Sequence, residues 1–161
     1  MTNWLDDEEM RAWRGFLSVF ADVHAALDAE LLQAHNMTEG DYAVLVHLSE
    51  TPDHRMRMCD LASFMHLSPS GLTRRLDGLV REGLVVREAG CEDRRVSFAR
   101  LTAVGMRRLE AAAPDHVDGV RRHLLNHLSR TQIRQLGYAF EGVLRRREED
   151  GIGCPRVDAM S

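Results

Sequence analysis

The sequence predicts a mainly α-helical fold with one small β-hairpin, and three observations predict it. Apolar residues recur at intervals of three and four along most of the chain, and serine or threonine stands where several such runs begin. A single pair of short, branched segments flanks a polar turn. The 161 residues, 44% hydrophobic and 29% charged, suit one core and exclude two large domains.

From Glu8 to about Gln33, the residues Trp13, Phe16, Leu17, Phe20, His24, Leu27 and Leu31 share one face of a long helix in which Gly15 is the only weak point. Thr38 and Asp41 have the spacing of a capping box, and the helix they open carries Tyr42, Leu45, Val46 and Leu48 before Pro52 and Asp53 close it. A short helix is expected from about Met58 to Met65. Ser68 as N-cap and Pro69 at the first helical position start another that runs to Glu82, with Leu72, Leu76, Leu79 and Val80 inward and Gly83 at its C-terminal end. Leu84 to Arg87 and Val96 to Leu101 bracket the polar stretch Glu88 to Arg95 as a hairpin with a long tip. Thr102 caps a helix that tolerates Pro114 as a kink and continues through Val117, Val120, Leu124, Leu125 and Leu128. Ser129 to Thr131 opens a last helix with Ile133, Leu136, Phe140, Val143 and Leu144. Residues 1–147 are read as a single domain and 148–161 as a flexible tail.

No apolar run approaches the length needed to cross a bilayer, and the acidic residues Asp6 to Glu9 stand where a signal peptide is basic and then apolar. An intracellular, cytoplasmic protein without a membrane partner is expected. Cys59, Cys91 and Cys154 are too few and too far apart for a disulfide framework or a cysteine zinc site. The net charge of −4 argues at first against a nucleic-acid partner, but its distribution does not. Residues 1–50 hold two arginines against ten acids, 51–101 nine against seven, and 102–161 ten against eight.

The order short helix, turn, capped helix and basic-tipped hairpin describes a winged helix-turn-helix, with its core at about 38–101. Its second helix lies in the major groove and must present polar residues outward. Here Ser68, Ser70, Thr73, Arg74 and Asp77 form that face around Leu72, Leu76 and Leu79, Gly71 is counted with the DNA-binding residues, and Arg75 lies toward the flank as a phosphate contact. A guanidinium at Arg74 suits bidentate contact with guanine, and the hydroxyls of Ser70 and Thr73 suit phosphate or base edges. At the hairpin tip Asp93, Arg94 and Arg95 follow one another, and arginine is favoured in a narrow minor groove.

The stretch LASFMHLSPSGLTRRLDGLVREGLVVREAGCEDRRVSFARLTAVG, Leu61 to Gly105, resembles the MarR family of bacterial transcriptional regulators in its recognition helix, its GLV strand and its D-x-R wing leading into LT-x-x-G. The resemblance implies a homodimer whose long terminal helices, about 8–34 and 102–147, interlock for dimerisation. Each lobe would read half of a pseudo-palindromic double-stranded DNA operator, the two recognition helices lying roughly 34–36 Å apart. Within the wing, the family's pair falls on Asp93 and Arg95, which assigns Arg95 to the minor groove and Arg94 to phosphate. Cys91 departs from the small or proline residues more usual there. Family members release DNA when a small aromatic or carboxylate effector enters a pocket between the dimerisation helices and the DNA-binding lobe. In this chain the candidate wall is Trp13, Phe16, Phe20 and His24, with His47 on the second helix. A core or dimer-interface stripe is the simpler account of the same residues.

Two sensing variants rest on single features. His123 and His127 stand four apart on the expected fifth helix, with His116 a heptad earlier, but no cysteine or carboxylate converges with them, so no metal and no cofactor is assigned. Cys91, among arginines, is a candidate reactive thiol, whereas Cys59 in the short helix is expected to be buried. No nucleophile elbow, phosphate-binding glycine loop or HExxH motif is present, and no enzyme activity is expected. A winged helix used only for protein interaction remains the alternative, and it would need a reading face without outward arginines.

Overall fold

The structure is a computed structural model and describes residues 2–90 and 96–151. In chain order the described residues form α1 (Asp7–His35), α2 (Glu39–Ser49), β1 (Arg55–Arg57), α3 (Met58–Phe64), α4 (Pro69–Arg81), β2 (Val85–Ala89), β3 (Ser97–Leu101), α5 (Ala103–His123) and α6 (Arg130–Glu149). Short 3-10 turns at Pro52–His54 and Leu125–His127 precede β1 and α6.

Every α-helix but α3 among the described residues starts at a side-chain cap. Asp6 accepts hydrogen bonds from the Glu8 and Glu9 amides at 2.9 and 2.8 Å, and the Glu9 carboxylate accepts from the Asp6 amide at 2.9 Å. Part of the acidic N-terminal charge thus sits at the positive end of the α1 dipole. Thr38 with Asp41 and Ser129 with Gln132 close reciprocal boxes in the same way. The turn between α3 and α4 is set by His66, whose φ of 51° is left-handed, and by a hydrogen bond from the Leu67 amide to the Ala62 carbonyl at 2.9 Å. After α4, Gly83 takes φ 71°, which a glycine adopts without steric cost, and the chain turns directly into β2.

Leu72, Leu76 and Leu79 of α4 meet Leu45 and Leu48 of α2, Leu61 of α3, and Val85, Ala99 and Leu101 of the sheet in one core. The sheet order is β1-β3-β2, wholly antiparallel. Strand β1 is an element that the sequence reading lacks. Three residues, two of them arginine, are too short for an alternation signal, and the strand exists because Met56 is buried and pairs with Ala99. At the start of α5, the Thr102 hydroxyl accepts from the Gly105 amide at 3.0 Å and donates to the Gly83 carbonyl at 2.7 Å. Gly105 is packed so closely on the Leu84 backbone carbonyl that a Cβ there would overlap it.

Helix α5 includes Pro114 and ends at His123, short of the expected Leu128. Leu124 leaves helical geometry at φ −132° and ψ −66°, although no glycine or proline marks the place. The last turn is held instead from α1, where Glu30 accepts from Arg122 at 2.6 Å and lies 2.7 Å from His123 Nε2. His35 Nε2 lies 2.7 Å from the Asp115 carboxylate, a second tie between the same two helices. Among the described residues, no helix is long and apolar enough to cross a membrane.

Candidate nucleic-acid interface

The N-terminus of α4 is built by its own first four residues. The Ser68 hydroxyl accepts from the Gly71 amide at 3.1 Å and lies 3.2 Å from the Ser70 hydroxyl, and Pro69 supplies a first position that has no amide to satisfy. Ser68, Ser70, Thr73 and Arg74 are exposed, and Gly71 is half-buried. Thr73 donates its hydroxyl to the Pro69 carbonyl at 2.9 Å, so its oxygen faces outward as an acceptor and its proton is engaged within the helix. Arg74 has no hydrogen-bond or ionic partner among the described residues, which leaves its five donors to an external acceptor.

Arg75 departs from its expected place on the flank. Its Nη1 donates to the Thr38 hydroxyl and to the Asp41 carboxylate, both at 3.2 Å, and the side chain is two-thirds buried. The capping box of α2 presents an acceptor pair just where α4 passes, and one arginine position later in the helix turns inward to it. On the other flank Arg87 of β2 donates to the Thr73 carbonyl at 2.8 Å and to Asp77 at 2.9 Å. Neither attachment was legible beforehand, because each pairs residues on different elements.

Strands β2 and β3 run in register from Val85↔Leu101 to Ala89↔Ser97, and the Gly90 amide donates to the Val96 carbonyl at 2.8 Å. The expected tip residues Asp93, Arg94 and Arg95, with Cys91, lie outside the described residues. On the sheet's other side the Arg55 guanidinium stands 3.8 Å from the Phe98 ring centre, and Glu88 forms ion pairs with Arg55 at 3.3 Å and Arg100 at 2.6 Å. The Arg55 contact is ionic only, since its Nε–H is not aligned for a hydrogen bond.

A cavity of about 560 Å³ lies between α1, the start of α2 and α4. Asp28, Glu39 and Arg75 supply its charged groups, His24 an imidazole, and Met65 and Leu67 its apolar wall. Glu39 pairs with His24 Nδ1 at 2.7 Å, and Asp28 accepts from the Glu39 amide at 2.8 Å. Of the five expected pocket residues, His24 alone lines it. Trp13, Phe16 and Phe20 instead stack along an exposed stripe of α1, with ring centres about 6 Å apart, and Phe16 meets Phe140 of α6 edge-on. His47 stacks on Phe64 within the DNA-binding lobe, and its Nδ1 is buried without a partner among the described residues. One face of a 29-residue helix is longer than a single pocket, and only its last part passes α2.

Two further expectations change. His123 and His127 do not share a helix, because α5 ends between them and His123 is committed to Glu30. That hydrogen bond holds the Glu30 carboxyl below its ordinary range. Cys59 is exposed rather than buried, its Sγ 3.4 Å from the Asp60 carboxylate. In the α2–α5 seam, burial against the Tyr42 ring, 4.3 Å between centres, pushes the His116 imidazole below its usual pKa and the Tyr42 hydroxyl above its own.

Comparison with known proteins places this geometry. A family model for the MarR family matches residues 37–97. The HTH-type transcriptional repressor YetL of Bacillus subtilis (strain 168) is 30% identical over 132 residues, which cover 78% of each chain. The solved structure of AbsC, a MarR family transcriptional regulator from Streptomyces coelicolor, superposes with a TM-score of 0.82 at 36% identity over 92% of this chain and 99% of its own. Sco3205, a MarR family transcriptional regulator from the same organism solved in complex with DNA, gives 0.82 at 34% identity over 89% of each chain.

Proposed function

The chain belongs to the MarR family and is a DNA-binding transcriptional regulator, and from that premise we propose that it is a ligand-responsive repressor that grips a pseudo-palindromic operator as a homodimer. The observation that carries the reading is the α4 surface: Arg74 is exposed and uncommitted beside the hydroxyls of Ser68 and Ser70, while Arg75 and Arg87 are each neutralised by an acid of the chain itself. A surface left with free donors at one spot fits base readout, and the tip residues Asp93, Arg94 and Arg95 would supply the minor-groove and phosphate contacts of the wing. The whole of 1–147 acts as one regulatory domain. In this reading no cofactor or catalytic group is assigned, and the protein acts on operator DNA in the cytoplasm.

What supports the dimer is the exposed apolar surface of the two terminal helices. Trp13, Phe16, Leu17 and Phe20 on α1 and Tyr138, Phe140, Val143 and Leu144 on α6 are all at least 43% exposed in the protomer, and the two sets meet where Phe16 touches Phe140, an apolar surface of the kind that marks an interaction site. What supports an effector, a small aromatic or carboxylate ligand, is the cavity itself, where Met65 and Leu67 form an apolar wall beside the polar groups of His24 and Thr38. Such a ligand releases DNA only to the extent that it prefers the released state.

Fluorescence anisotropy with the DNA upstream of the protein's own gene and a scrambled control, over a salt series, tests the reading. Preference for the upstream fragment, with affinity falling steeply as salt rises, is expected. Arg74→Ala and Arg95→Ala should each cost about 1–3 kcal/mol with the fold intact. Equal, weak binding to both fragments would overturn the operator reading.

A further inference from the structure

We propose that Arg87 is a positioning residue that clamps the recognition helix to the wing, so that helix and hairpin meet DNA as one body. The inference rests on the DNA-binding reading for its consequence and on geometry for its existence. The core residues of α4, Leu72, Leu76 and Leu79, all lie on its inward side, which holds the turn from within and leaves Thr73, Arg74 and Asp77 on its exposed outer side. Arg87 supports that turn from outside. A single nitrogen, Nη2, donates to the Thr73 carbonyl at 2.8 Å and to the Asp77 carboxylate at 2.9 Å, four residues further on. The two acceptors bracket one helical turn, and Arg74 sits inside it.

The strand explains why an arginine reaches this place. Side chains two apart on a strand share a face, so Arg87 lies on the same face as buried Val85, the face packed toward α4. Its cross-strand partner is Ala99, fully buried and small, which leaves room for the arginine stem to run across the sheet. Two residues after Arg87 the described strand ends at Ala89, where the wing segment begins. The clamp also disposes of an electrostatic liability. Asp77 is more than half exposed on a helix meant to approach phosphates, and a bound guanidinium offsets its charge.

The pair Arg87→Ala and Asp77→Asn, singly and combined, tests the clamp in two assays on the full chain. In DNA-free protein, amide hydrogen exchange over residues 73–77 should accelerate in either variant while core amides are unchanged. In anisotropy with the upstream fragment each single variant should bind about fivefold more weakly, because the turn must then be ordered on binding. The double variant should fall well short of the product of the two losses. The salt slope should stay at the wild-type value. A slope reduced by about 0.9 would make Arg87 a direct phosphate contact and overturn the proposal. Multiplicative losses, or unchanged exchange over 73–77, would do the same. Should Arg87→Ala fail to fold, Asp77→Asn carries the exchange measurement and Arg87→Gln the slope measurement. If wild-type protein shows no preference for its upstream DNA, the operator reading falls, and exchange by itself decides whether the clamp exists.

Discussion

Replacing Phe16 by alanine should weaken the dimer by an amount that follows from its exposure. The ring is 45% exposed in the protomer, and its remaining surface is shared with Trp13, Phe20 and Phe140. Full burial of a phenylalanine is worth about 1.5–3 kcal/mol, so covering the exposed part is worth about 1 kcal/mol. A two-fold interface uses the same patch on both protomers, which doubles the loss to about 2 kcal/mol and raises the dimer dissociation constant about thirtyfold. Sedimentation equilibrium over a wide concentration range measures that constant directly. Val104→Ala serves as the control, since Val104 is equally exposed, at 49%, but sits on the first turn of α5 beside the sheet. A wild-type protein that is monomeric throughout the range, or a Phe16→Ala constant equal to that of wild type, would refute the argument that this stripe is the dimer surface.

Three other outcomes are expected. Gly105→Ala forces a methyl group into the Leu84 carbonyl and should destabilise the fold by about 1–3 kcal/mol or more, seen as a lower urea midpoint at unchanged slope; an unchanged midpoint would mean that the α5–β2 junction yields freely. Burial lowers the His116 pKa from 6.5, so the unfolded chain takes up that proton first, and the stability contributed is present above about 6.5 and lost as pH falls below it. His116→Gln should therefore show a smaller drop in urea midpoint between neutral and mildly acidic pH than wild type, and equal drops would assign the acid sensitivity elsewhere. Gly40→Ala places a methyl group against the Arg75 guanidinium, a flexible end that can move. Because that end is Nη1, which bonds Thr38 and Asp41, the variant should lose about 1 kcal/mol in urea unfolding, and because Gly40 lines the cavity any effector that competes with DNA in anisotropy should lose potency; undiminished potency would remove this cavity from the effector's site.

The sequence made the local architecture legible wherever one residue type acts on its own neighbours. Ser68 with Pro69, Thr38 with Asp41, and Thr102 each announced a helix start, because a cap is a contact across three residues. The apolar stripe of α1 was legible as a face, but which partner it meets is a property of distant chain, and Trp13, Phe16 and Phe20 proved to lie outside the cavity that His24 borders. The inward turn of Arg75 was hidden for a related reason. Arg74 and Arg75 are adjacent and chemically identical, and only the position of the α2 cap, 34 and 37 residues earlier, tells them apart. The end of α5 was also unreadable, since contacts from Glu30 rather than a glycine or proline stand beside it.

Strand β1 has a kinetic consequence. Its pairing with β3, Arg55 to Arg100, closes a loop of about 45 residues, whose length-dependent closure entropy alone is about 3 kcal/mol. All of α3, α4 and β2 lies inside that loop. The last strand to be synthesised is therefore the central one, and the two edge strands have no partner until it arrives. A nascent chain that stops before Ser97 carries the whole helix-turn-helix but lacks the central strand, so neither β1 nor β2 is paired. Such a truncated chain should stay open to proteolysis, and the reading helix should gain protection only when the sheet closes.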